Sequence, residues 1–212
     1  MIVFKYTKND GAEFISHLDT LRHLNKTFTR GGIKVKMSQG FHPHMLIFMS
    51  SPIGVGLKST AEYCTVDTDT PPAEFKEKFN AASPKGIKCV AAYYTPKNIN
   101  LASAIIKAKY YIEGLNVFDA EEVLSAKEFI VTNKRGESLN ARDKIFSFSR
   151  RGDGYEAVLA AGNASLRPDV FVAALKERYG GGHIRIIKEE SFVAGDRPPE
   201  SLIDLSQEQK TP

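Results

Sequence analysis

Short alternating runs of apolar and polar residues occupy most of the chain, and a few longer segments break into a helical period. Residues 2–6, Ile2-Val3-Phe4-Lys5-Tyr6, read as a first strand. From Ser16 the spacing becomes helical and holds as far as the Gly31-Gly32 pair. Ser16 at the N-cap with Asp19 three residues on resembles a capping box, and Gly31 suits the stop. On a helical wheel Leu18, Leu21, Leu24 and Phe28 share one arc, and His17 falls within it, so His17 is expected to face the sheet. Arg22, Lys26 and Arg30 form a stripe on the other face. Residues 33–37 alternate as a strand, residues 38–44 form a polar loop, and the apolar residues 45–49 predict another strand. After a Gly/Pro/Ser-rich connection, residues 61–67 predict a strand, Pro71-Pro72 opens a short helix with Phe75 and Phe79, and residues 86–93 predict a strand.

The second half repeats this order. Residues 105–112 predict a strand, Asp119 and Glu122 open a short helix ending at Leu124, and residues 128–132 predict the next strand. Residues 144–150 and 155–161 alternate on either side of Arg151-Gly152-Asp153-Gly154, a hairpin signal. Pro168 begins a helix carrying Val170, Phe171, Ala174 and Leu175, and residues 183–187 close as a strand. The expected class is α+β, as two tandem ferredoxin-like (split βαβ) units with antiparallel sheets. Their expected bounds are residues 1–95 and 105–193, joined by a linker at 95–104 and followed by a flexible tail at 194–212. Within that tail Leu202-Ile203-Asp204-Leu205 is a candidate docking segment for a partner.

Composition changes this picture little. The 212 residues are 42% hydrophobic and 10% aromatic, as in ordinary globular proteins. No run approaches the roughly 18 consecutive apolar residues of a membrane span, and the apolar start is too short for a signal peptide, so a cytoplasmic protein is expected. Cys64 and Cys89 lie in predicted strands without ligand spacing, which favours buried free thiols over a disulfide or metal site.

Charge is more informative. The net charge of +4 is confined to residues 1–95, which hold twelve basic residues against eight acidic ones; residues 96–212 are balanced. Over residues 1–58 the ratio is eight to three. Such an excess fits either a solvated face or a polyanion partner such as RNA or the ribosome.

Three of the five histidines, His17, His42 and His44, fall in this basic portion. Gly40 permits a sharp turn and Pro43 stiffens the loop, so Gln39, Phe41, His42 and His44 form a candidate binding loop. His17 at a helix start has its neutral form favoured by the dipole, which suits a satisfied core histidine or a ligating one. Three imidazoles are compatible in principle with an open zinc site, but they come from separate elements, and no metal or cofactor is expected. The sequence contains no phosphate loop, no dinucleotide fingerprint, no nucleophile elbow and no His-Glu-x-x-His, which removes the familiar enzyme classes. Gly180-Gly181-Gly182 follows a helix and reads as its stop and turn.

Residues 14–22 (Phe-Ile-Ser-His-Leu-Asp-Thr-Leu-Arg), Gly32-Ile33-Lys34-Val35-Lys36, Ser38-Gln39-Gly40-Phe41-His42-Pro43-His44 and Ser51-Pro52-Ile53-Gly54-Val55-Gly56 resemble the radical-SAM-linked proteins of unknown function. Ser165-Leu166-Arg167-Pro168-Asp169 resembles a weaker second motif of that family. The resemblance implies a domain fused to, or encoded beside, a cobalamin-binding-type radical SAM protein. This chain lacks the three-cysteine cluster motif and would be the accessory part. Three functions follow as expectations. The first is a non-catalytic module that presents RNA or a ribosomal substrate to a radical SAM partner, through Arg22, Lys26, Arg30, Lys34, Lys36 and the histidine loop. The second is a metal-independent endoribonuclease, with His17, His42 or His44 as general base and Arg22 or Lys36 stabilising charge. The third is a protein-only adaptor that uses residues 45–49 or the tail.

Overall fold

The computed structural model describes residues 1–203. Its strands are β1 (Ile2–Lys8), β2 (Ile47–Met49), β3 (Lys58–Val66), β4 (Cys89–Tyr94), β5 (Lys107–Leu115), β6 (Ile130–Thr132), β7 (Ser138–Asn140), β8 (Ile145–Arg151), β9 (Gly154–Ala160) and β10 (Gly181–Phe192). Its helices are α1 (His17–Arg30), α2 (Pro72–Ala82), α3 (Leu101–Ala104), α4 (Glu121–Ser125) and α5 (Pro168–Tyr179). The class is a mixed α/β protein built on a mostly antiparallel sheet.

Eight strands form one sheet in the order β4-β1-β3-β10-β5-β9-β8, with β2 beside β3. In the first half the order is β4-β1-β3-β2, and in the second it is β10-β5-β9-β8. Sheets of two separate units were expected; here β3 and β10 join them. That junction is the parallel pairing of the sheet, with Ile187 opposite Lys58 and Lys188 opposite Ser59. It is possible because β2 pairs only with the far end of β3, at Cys64–Val66, and leaves the near end free.

Side-chain alternation places a separate core on each part of the sheet. Ile2, Phe4, Tyr6 and Cys64 face Leu24, Phe28, Phe75 and Phe79. The Phe4 ring centroid lies 5.1 Å from that of Phe75 and 5.4 Å from that of Phe79. In the second half Ile112, Phe148, Tyr155 and Leu159 pack beneath Phe171 and Leu175 of α5. The opposite face of the first half, Val3, Ala61 and Tyr63, is covered by Leu101 of α3 and by Ile203.

That last contact corrects the expected tail. Pro199–Leu202 forms a 3-10 turn, Pro199 and Ile203 are buried, and Tyr63 Oη lies 2.9 Å from Glu200 Oε2. The polar composition of residues 194–203 hides two apolar anchors that cap an otherwise open sheet face. The candidate docking residue Ile203 is therefore occupied within its own chain, while Asp204, Leu205 and the rest of the expected tail lie outside the described residues.

Two expected strands differ as well. Residues 33–37 make only isolated bridges, Val35 to Thr68 and Met37 to Met45; Ile33 and Val35 turn to the first core while Lys34 and Lys36 are exposed. Strand β6 leaves the main sheet and pairs with β7 through the turn at Asn133, whose Oδ1 accepts from the Arg135 and Glu137 N–H groups. Cys64 and Cys89 are buried free thiols; burial raises both, Cys89 to about 12. No helix among the described residues is long and apolar enough to cross a membrane.

Candidate functional site

The histidine loop is the tip of an arm formed by residues 33–47. Lys36 N–H donates to Asp67 O, and Leu46 N–H donates to Lys36 O, fixing the arm against the end of β3. At the tip Ser38 N–H donates to His44 O at 2.8 Å, and the Ser38 hydroxyl meets both the His44 N–H, at 3.1 Å, and His44 Nδ1, at 2.8 Å. Gly40 turns the chain at φ 117°, a value that disfavours any side chain. Phe41 stands wholly in solvent, and Gln39, His42 and His44 are exposed around it. The Phe41 ring therefore offers both of its faces to solvent and is free to stack.

The basic candidates divide into engaged and free. Arg22 pairs with Asp19 at 2.8 Å, and the Ser16 hydroxyl together with Arg22 holds the Asp19 carboxyl below its ordinary range. Arg30 donates to Ala82 O at 2.9 Å. Lys36 sits 3.2 Å from Asp67 and 3.3 Å from Asp69, whose hydrogen bonds raise its ammonium pKa. The ammonium groups of Lys26 and Lys34 are exposed and form no ion pair among the described residues.

His17 is not a core histidine. It shares the angular phase of Leu24 and Phe28, as the wheel indicates, but the residues that α1 buries, Thr20, Leu24, Thr27 and Phe28, begin only at its fourth position. The first turn overhangs a cavity, so His17 is exposed there and Leu18 is turned to solvent. His42 and His44 are not among the residues lining that cavity. No three His, Cys, Asp or Glu side chains among the described residues are grouped to hold a metal ion.

The cavity has a volume of about 460 Å³, within the range of small-molecule sites. It lies at the seam between the halves. It is lined by His17 at the start of α1, the 51–57 connection and residues 160–169 leading into α5, together with Ile105, Ala108, Tyr110 and Lys188. The first three segments carry three of the motifs singled out in the sequence, which lie far apart along the chain and meet only here. The apolar residues 45–49 belong instead to the first core, with Met45, Ile47 and Met49 turned against it.

Beneath the cavity the seam carries buried charge. Lys188 Nζ, from β10, lies 3.0 Å from Glu62 Oε1, from β3, with side-chain exposures of 6% and 4%. Ser59 Oγ donates to the same carboxylate at 2.8 Å. A smaller recess next to the cavity, also lined by His17, is bounded by Tyr6, Lys8 and Glu62. Lys8 is buried and donates to Ile15 O at 2.8 Å. Burial lowers its pKa, against the opposing pull of Glu62 and Glu13. Tyr110 lines the cavity at 7% exposure, and burial, followed by the charges of Glu62 and Asp169, raises its phenol. Sequence reasoning missed Glu62, Lys188, Lys8 and Tyr110. One signal was available: Glu62 is the lone acid in an otherwise apolar strand start, Ala61-Glu62-Tyr63-Cys64.

The site thus defines a mixed α/β protein whose sequence motifs converge on one seam cavity and one projecting aromatic loop. The chain belongs to a family described as an uncharacterized protein conserved in bacteria (DUF2344), whose model matches residues 1–169 and so spans both the loop and the three cavity segments. No curated protein matches it.

Proposed function

We propose that this protein is a non-catalytic accessory module of the cytoplasm that binds RNA, or a ribosomal substrate through its RNA, and presents it to a radical SAM partner. The observation that carries the reading is Phe41, wholly exposed on a loop closed by Ser38 and His44 and flanked by two imidazoles. Unpaired bases stack on such rings, and nearby cations hold the backbone. The free ammonium groups of Lys26 and Lys34 suit that second role. Two ferredoxin-like units, at residues 1–95 and 105–193, also agree with the element order and with the matching strand orders β4-β1-β3-β2 and β10-β5-β9-β8. That architecture often binds RNA, which is support by analogy. The radical SAM partner rests on the sequence resemblance alone.

Filter binding with total RNA at low and moderate salt tests the reading. Retention that falls with salt is expected, as is a loss of about fivefold or more for Phe41→Ala, on the scale of one stacked base. Salt-independent retention, or retention as strong as wild type by both Phe41→Ala and the double variant Lys26→Ala/Lys34→Ala, would overturn it.

A further inference from the structure

The seam cavity is a ligand site in its own right. Two helices begin at it: His17 is the first residue of α1, and Pro168 and Asp169 open α5. The His17, Leu18 and Asp169 N–H groups donate to no acceptor within these first turns among the described residues. First-turn N–H groups of this kind favour anions. Independently of the helices, one polar side chain on the cavity wall forms no hydrogen bond within the protein among the described residues. The Tyr110 hydroxyl, on a residue nine-tenths buried, has no hydrogen-bond partner among the described residues. The adjoining recess holds Lys8, which donates to Ile15 O and feels the charges of Glu62 and Glu13, so the two buried cations, Lys8 and Lys188, are matched by two buried carboxylates. Asp169 at the rim is itself clamped by Arg167, with Nε to Oδ1 3.0 Å and Nη2 to Oδ2 2.5 Å.

The remaining wall is apolar, formed by Pro52, Ile53, Leu57 and Leu166. A lone phosphate would leave this wall and most of the 460 Å³ unused. A ligand with a charged end, a flat weakly polar body and a hydrogen-bonding edge uses all of it.

We propose that the seam cavity binds a nucleoside monophosphate unit. Its phosphate lies at the starts of α1 and α5, and its base lies against the Pro52–Ile53 and Leu166 wall with an edge toward the Tyr110 hydroxyl. The unit is either a free mononucleotide or a nucleotide of an RNA chain. In the second case the inference deepens the RNA reading above, with the loop ring of Phe41 and the cavity as two separate contacts.

Calorimetric titration of the full chain tests this with the four nucleoside 5′-monophosphates, inorganic phosphate, and a short oligoribonucleotide with and without a 5′-phosphate. At least one mononucleotide or the 5′-phosphorylated oligomer is expected to bind one to one, and inorganic phosphate at least tenfold more weakly. Ser165→Trp, at an exposed rim position, should abolish binding by filling the mouth; Tyr110→Phe should weaken it about three- to tenfold, one hydrogen bond's worth. Thermal melts show whether both variants stay folded. Binding of the oligomer alone identifies the source as RNA. No binding by wild type, equal binding of inorganic phosphate, or binding unchanged in folded Ser165→Trp would overturn the inference. Phe41-dependent RNA retention with no mononucleotide or oligomer bound at the cavity removes this inference and leaves the RNA reading standing. Mononucleotide binding without RNA retention does the reverse.

Discussion

Lys188 and Glu62 come from opposite halves of the chain and meet 3.0 Å apart beside the parallel ladder that joins β3 to β10, at positions where almost no solvent reaches. Two charges this deep repay desolvation only while both are present. Lys188→Met should therefore cost about 3–5 kcal/mol, since it leaves the Glu62 carboxylate with Ser59 alone. Adding Glu62→Met should restore most of that loss. Urea unfolding of the two single variants and the double variant checks this; additive losses would show that the pair does not act as a unit.

The four phenylalanines at the centre of the first core give a second expectation. Phe4 touches Phe28, Phe75 and Phe79, with centroid separations of 6.2, 5.1 and 5.4 Å. Phe4→Ala should destabilise by about 3–5 kcal/mol through the cavity it leaves, and Phe4→Leu by clearly less. Equal losses measured by denaturation would contradict the packing.

Alkaline pH should destabilise the protein. The Tyr63 hydroxyl lies 2.8 Å from Glu190 and 2.9 Å from Glu200, and has one proton to offer them. Burial first, then those carboxylates, raises its pKa; burial likewise leads for Tyr6 and Tyr110. An unfolded phenol titrates near 10. Above about pH 10 the unfolded chain loses protons that the native one keeps, so this stability is full below that pH and declines as pH rises. Each tyrosine contributes a slope of up to about 1.4 kcal/mol per pH unit. Unfolding measured between pH 8 and 11 should show the decline, and Tyr63→Phe should flatten it.

A pair of glycines separates strain from collision. Gly136 and Gly86 both have positive φ, 81° and 89°, but a Cβ on Gly136 meets nothing within 4 Å, whereas one on Gly86 would sit 2.0 Å from Asn9 O. Gly136→Ala should cost about 1–2 kcal/mol for the left-handed backbone alone. Gly86→Ala should cost about twice that or more, because the backbone of β1's exit must move. Similar melting temperatures for the two variants would refute the close approach.

Much of the local structure was legible because local chemistry enforces it. Ser16 accepts the Asp19 N–H at 3.1 Å, α2 and α5 open on Pro72 and Pro168, and the hairpin turns at Gly152. What the sequence concealed depends on partners distant in the chain. Lys188 falls in a strand whose other basic side chain, Arg185, is exposed, and only its pairing with β3 buries it. The cavity was visible as three motifs but not as one place, because nothing local brings His17, Pro52 and Arg167 together. His17 itself was placed on the correct side of α1. Burial failed because the sheet-facing side of the first turn looks onto empty space rather than packed side chains.

The order of synthesis gives the parallel ladder a further consequence. The near end of β3 leaves the ribosome with one side unpaired, and its partner in β10 follows only after the intervening chain; 126 positions separate Glu62 from Lys188. Until then the nascent first half carries an open strand edge and an uncompensated acid beneath it. Completion of the seam is therefore a late event, and whatever the cavity holds has no place to bind before the last strand arrives.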